Sequence, residues 1–142
     1  MKINPDCIRE VLLYLEENLM ISISENDFSV IEINQLYENL NYSQEDIWYS
    51  VYNLYNIRFI DGKINNVSNH KMFFCEIQNI TWNGHQFLNT IRPKSIWNAT
   101  KDKAKQIGGM SLHSLSTLSM AIANAVVTNP TFIQSIVDKL NG

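Results

Sequence analysis

The stretch Ser43–Ile64, SQEDIWYSVYNLYNIRFIDGKI, decides the fold. Ser43, with Asp46 three residues on, is the pattern of a helix N-cap close to a capping box. A serine hydroxyl there accepts a hydrogen bond from a backbone N–H that has no helical partner. Ile47, Val51 and Leu54 then recur at three- and four-residue steps, so a helix over about 44–56 has one apolar stripe. Trp48, Tyr52 and Tyr55 lie beside that stripe. Glu45, Asp46 and Tyr49 fall on the solvent side. After residue 57 the pattern changes. Arg58-Phe59-Ile60 has strand character, and Asp61-Gly62 favours a tight hairpin turn because glycine accepts positive φ. Lys63-Ile64 leads out of that turn.

Working outward, two helices precede this stretch. Pro5 and Asp6 open the first, where a missing N–H costs nothing. Ile8, Val11, Leu12, Leu15 and Leu19 form its buried stripe, and Glu10, Glu16 and Glu17 its wet side. Residues 20–31 read as a linker or short strand. Ile33, Leu36, Tyr37 and Leu40 mark a short second helix. Downstream, 65–71 is polar and loop-like, and Met72–Ile77 is a returning strand. Thr81 caps a fourth helix reaching about Arg92, with Phe87, Leu88 and Ile91 inward. Three helices, a hairpin and a helix follow the order of a winged helix-turn-helix domain over 1–92, with residues 58–80 as the wing. The expected class is mainly α with a small β hairpin, an α+β fold, followed by a helical C-terminal extension over 93–142. An unrelated small α+β domain is the alternative.

Within the extension, residues 94–107 combine Lys94, Lys101, Lys103 and Lys105 with Ile96, Trp97, Ala104 and Ile107, a basic amphipathic helix that Gly108-Gly109 ends. From Gly108 to Val137 there is no formal charge. A helix over 111–127 carries Leu112, Leu115, Leu118, Ile122 and Ala125 or Val126 at helical steps, and a short helix over 131–140 follows the Asn129-Pro130 break. Seven polar side chains, among them His113, Ser116 and Asn124, disqualify the uncharged helix as a lipid-exposed span. Burial or self-association is expected instead, through Leu115, Leu118, Ile122 and Ala125, with Ala121 and Ala125 allowing close approach.

The string Ile80–Arg92, ITWNGHQFLNTIR, is the most specific in the chain. A strand followed by Thr-x-x-Gly at the start of a helix resembles the end of the wing in many winged-helix proteins. Together with Trp97, the Lys101–Lys105 run, Gly108-Gly109-x-Ser111-Leu112, the opening MKINPDCIREVLLYLEE and the segment YSQEDIWY, it resembles a bacterial phage and prophage family, domain of unknown function 2513. That resemblance implies a small accessory protein of a mobile element, in the cytoplasm of a bacterial host, and brings no site residues with it. Asn83 departs from the glutamate expected in the first helical turn, which weakens a dipole contact and little else.

The chemistry-bearing residues form no familiar set. His70, His85 and His113 have no ligand spacing with each other or with Cys7 and Cys75, so no metal and no cofactor is expected. His85 reads as a packing or capping residue. The two cysteines read as buried thiols rather than a disulfide framework. No elbow frames a serine, and no glycine loop of the phosphate-cradling kind is present, so catalysis is not expected. Charge is lopsided. Residues 1–62 carry three cations against eleven carboxylates, a net −8, and residues 63–142 carry eight against three, a net +5. The two halves should attract each other, within one chain or between two.

In a winged helix the third helix enters the major groove with its N-terminal residues at the base edges. Here those residues are Gln44, Glu45 and Asp46, and no Lys or Arg occurs from 43 to 57. Phosphate neutralisation supplies much of the affinity for DNA, so nucleic-acid binding is expected to be weak or none. Its one credible surface is Lys94, Lys101, Lys103 and Lys105. The leading expectation is a non-enzymatic protein that binds a protein partner through Glu45, Asp46, Tyr49, Trp48 and Tyr52, self-associates, and has no membrane span. Such a face could oppose a host nucleic-acid-binding or defence protein. The alternative is a dimeric DNA-binding transcriptional regulator.

Overall fold

The computed structural model describes residues 2–20, 30–66, 73–108, 110–128 and 138. In chain order the elements are α1 (Pro5–Asn18), β1 (Ile31–Glu32), α2 (Ile33–Asn39), α3 (Gln44–Asn56), β2 (Ile60–Asn66), β3 (Phe73–Ile80), α4 (Trp82–Ile91), α5 (Lys94–Ile107) and α6 (Leu112–Thr128). The class is the expected one, mainly α with a small antiparallel sheet. Of the loop expected over 65–71, Asn65 and Asn66 belong instead to β2 and the rest lies outside the described residues, as do most of the linker expected over 20–31 and, apart from Asp138, the short helix expected over 131–140. The chain divides into two compact units, Met1–His85 and Gln86–Gly142, and the division falls inside α4.

In the first unit, Asn4 caps α1 by accepting from the Cys7 backbone N–H at 3.2 Å. The α1 stripe Ile8, Val11, Leu12 and Leu15 is buried, as are Leu36 of α2 and Ile47, Val51 and Leu54 of α3. Ser43 Oγ accepts from the Asp46 N–H at 3.1 Å, the expected cap of α3. The sheet has strand order β1-β3-β2, all neighbours antiparallel.

Asp61-Gly62 is not the hairpin turn that the dipeptide suggested. It lies inside β2, where Asp61 pairs with Asn79 and Gly62 with Ile77, leaving Gln78 as an extra residue on β3. That bulge resets the two-residue alternation of the strand, so Cys75, Ile77 and Ile80 are all buried. Gly62 is not held at positive φ. Its lack of a Cβ matters because a methyl group there would overlap the Glu76 carbonyl oxygen.

Thr81 joins three pieces of this unit. Its hydroxyl accepts from the Gly84 N–H at 3.1 Å, capping α4, and donates to the Arg58 carbonyl at 2.6 Å. Its own N–H donates to the Phe59 carbonyl at 3.0 Å. A Cβ on Gly84 would strike that same Phe59 carbonyl and the Ile80 side chain. The Thr-x-x-Gly signature therefore lets α4 begin hard against the junction of α3 and β2. His85, expected to pack or cap, is exposed.

The second unit is built on Phe87, Leu88 and Ile91 of α4, Trp97 and Ala104 of α5, and Leu112 and Leu115 of α6, all buried. Gly108 ends α5 at φ 73°, a left-handed cap that glycine adopts without a Cβ penalty. Ile107, expected on the apolar side, is 59% exposed. Ser119 is buried, its hydroxyl 2.8 Å from that of Thr90, which ties α6 to α4. Part of the polar content of the uncharged helix is thus internal hydrogen bonding. No helix among the described residues is long and apolar enough to cross a membrane.

Candidate functional site

The solvent side of α3 carries a short aromatic ladder. The Trp48 ring stacks on Tyr52, one turn on, with centroids 5.1 Å apart and planes 12° from parallel. It also stacks on Tyr49 at 6.4 Å and 17°. Helical spacing places residues four apart on one face, which allows the Trp48–Tyr52 pair. Trp48 and Tyr49 are half-buried, while Tyr52 and Tyr55 are more open at 38% and 37%. The ladder is therefore neither core nor a set of independent rings.

The two carboxylates at the head of α3 do different things. Glu45 is exposed. Asp46 was expected to share that exposure, but it is half-buried and accepts from the Asn4 side-chain amide at 3.1 Å. Asn4 thus bridges the caps of α1 and α3, and Asp46 serves the fold as well as the surface. Ser50, buried beneath it, donates to the Asp46 carbonyl at 2.7 Å and hydrogen-bonds Cys7. Asn53, a carboxamide of the kind that can read adenine, donates its amide to the Tyr49 carbonyl at 2.7 Å and so turns back onto its own helix.

The buried thiols differ from reactive ones. Burial pushes Cys7 above the ordinary thiol value, and pushes Cys75 up to about 11, with the Glu76 carboxylate adding to the effect. Both hold a proton at neutral pH, which makes them poor nucleophiles. Among the described residues no group of three or more His, Cys, Asp and Glu is placed to hold a metal ion.

On α5 the basic residues separate. At 100° per residue Lys94, Lys101 and Lys105 share one side of the helix, and Lys103 takes the opposite side. Lys94, Lys103 and Lys105 are exposed. Lys101 is half-buried, its ammonium 5.7 Å from the Trp97 ring centre in a cation–π contact. The single basic surface expected from Lys94, Lys101, Lys103 and Lys105 is thus three residues, one of them engaged by an aromatic ring.

The apolar stripe expected on α6 separates too. Leu115 is fully buried inside its own unit, so it is not a residue of an outer surface. Leu118, Ile122 and Ala125 are half-buried instead. With Ala121 and with Ala99, Asp102, Lys103 and Gln106 of α5 they line an open groove of about 390 Å³. Leu112, Leu115 and Ser119 are buried, and the groove residues of α6 are centred about 100° further around the helix. The sequence pattern merged the two sets because they are neighbouring stripes.

Fold and surfaces together define a small α+β protein of two units with opposite charge. Residues 1–85 hold five cations against twelve carboxylates, a net −7, and 86–142 hold six against two, a net +4. The chain belongs to the family described as Hypothetical protein (DUF2513), whose model matches residues 2–111. The match takes in α1 through α5 and stops one residue short of α6. Neither the curated proteins nor the solved structures contain a match to this chain.

Proposed function

We propose that this chain is a non-enzymatic accessory protein of phage or prophage origin that binds a basic protein partner through α3, displayed on a winged-helix scaffold. The scaffold reading is supported by strand order β1-β3-β2 with α2 and α3 inserted between β1 and β2. The observation that carries the binding reading is the stacked ladder of Tyr49, Trp48 and Tyr52 beside the exposed Glu45. Aromatic residues held rigid give contact area at low entropic cost and favour interface centres. A carboxylate at the rim selects a basic partner and speeds its approach. The same helix in a DNA reader would need cations toward phosphate, and α3 has none. A host nucleic-acid-binding or defence protein, whose own surface is basic, has the matching chemistry.

The test is capture from nuclease-treated bacterial lysate with three baits: wild type, Glu45→Lys and Tyr49→Ala. A protein retained by wild type and lost from both variants supports the reading. Duplex DNA bound tightly to one sequence, and bound more tightly after Glu45→Lys, overturns it in favour of a DNA-binding regulator. The exposed Lys94 and Lys105 would then be its phosphate contacts.

A further inference from the structure

The open groove between α5 and α6 asks for an occupant. Its α6 wall is apolar and shallow, with Leu118 and Ile122 set among the small residues Ala121 and Ala125. Its α5 wall carries Asp102 and Lys103, neighbours of opposite charge, both exposed. An acid and a base on one rim suit a particular kind of partner. A uniformly basic or acidic ligand would gain from one of these side chains and be repelled by the other. A second copy related by a two-fold axis brings Asp102 of each chain toward Lys103 of the other, satisfying both at once, because a two-fold interface is the same patch meeting itself. Small residues on the apolar wall allow the close approach that such a contact needs.

We propose that this groove is the self-association surface of the protein, a two-fold contact in which Leu118, Ala121, Ile122 and Ala125 of two chains pack together and Asp102 pairs with Lys103 across the axis. The contact uses no residue of α3. It therefore stands or falls apart from the partner-binding reading above.

Sedimentation equilibrium of the whole chain at micromolar concentration tests it. The expected species has twice the 16.4 kDa chain mass. Asp102→Lys and Lys103→Asp should each weaken the dimer by about tenfold at low salt, since the axis counts each altered pair twice. The double exchange, D102K with K103D, should restore the wild-type dissociation constant, because the rim is again self-complementary. Ala121→Arg, at an exposed helix position, should fill the groove and give a monomer with an unchanged circular dichroism spectrum. A wild-type monomer overturns the proposal. So does a dimer indifferent to Ala121→Arg, or single reversals that the double exchange fails to rescue.

Discussion

Arg58 sits where glycine would be the ordinary choice. It follows α3 at φ 60°, the one described non-glycine residue at positive φ. Its N–H donates to the Tyr55 carbonyl at 3.0 Å, and the Phe59 N–H reaches back to the Leu54 carbonyl at 2.8 Å. These are the two bonds of a Schellman cap, with buried Phe59 and Leu54 as the apolar residues that accompany it. An L-residue with a Cβ pays about 1–2 kcal/mol for this conformation. Arg58→Gly should therefore raise stability by roughly 1 kcal/mol, read as a higher urea midpoint at unchanged slope. Cys75 makes the second prediction at this scale. Its folded value of about 11 lies above the ordinary 9.0, so the fold holds the thiol proton more tightly than the unfolded chain does. The stability linked to it is complete below pH 9 and is lost as pH rises from 9 toward 11. The full loss amounts to about 2–3 kcal/mol. Urea midpoints measured along that range should fall, and Cys75→Ala should flatten the slope.

At the scale of the element, α3 has to be stable and also present a surface, and its two head carboxylates divide that work. Asp46→Lys should cost about 1–2 kcal/mol of stability. It removes the acceptor for Asn4 and places a positive charge at a helix N-terminus. Glu45→Lys should cost no more than about 1 kcal/mol of stability, because it reverses a charge in the same first turn but breaks no hydrogen bond of the fold. Its effect belongs on partner association, in the on-rate, and should shrink as salt rises. Tyr49→Ala should instead act on dissociation, by about 1–3 kcal/mol, with little salt dependence. Surface plasmon resonance with the captured partner separates the two. If both variants shift only the on-rate, the ladder is not an anchor.

For the whole molecule the deciding quantity is how charge is spread. The net charge is −7 over residues 1–85 and +4 over 86–142, and among the described residues the cations of the second unit cluster on α5. Lys94 and Lys105 are exposed on one side of it, and Lys101 between them is drawn over Trp97. Duplex DNA should bind weakly and without sequence preference, with a salt slope corresponding to about two or three phosphate contacts. Gel shifts on random fragments across a salt series give that slope. Lys94→Gln with Lys105→Gln should abolish what binding there is, while Asn53→Ala should not change it.

Much of this was set by local sequence. The stripes Ile8–Val11–Leu12–Leu15 and Ile47–Val51–Leu54 made α1 and α3 readable, because a buried helix face must repeat every three or four residues. Ser43 and Thr81 marked helix starts, and Gly108 marked a stop, because caps are answered within a few residues of the same chain. Other features depended on distant partners, and there local reading went astray. Asp61-Gly62 resembles a turn, yet Gly62 is required by the Glu76 backbone passing close to it. Arg58 carries no sign of its left-handed backbone, which Thr81 holds from 23 residues away. Asp46 looked like a free surface charge until Asn4, 42 residues earlier, was placed beside it. Leu115 and Leu118 read as one stripe, but the first is fully buried and the second lines a groove. Period and capping are properties of a segment. Which face is covered, which glycine is crowded and which carboxylate is engaged are decided by what the rest of the chain packs against them.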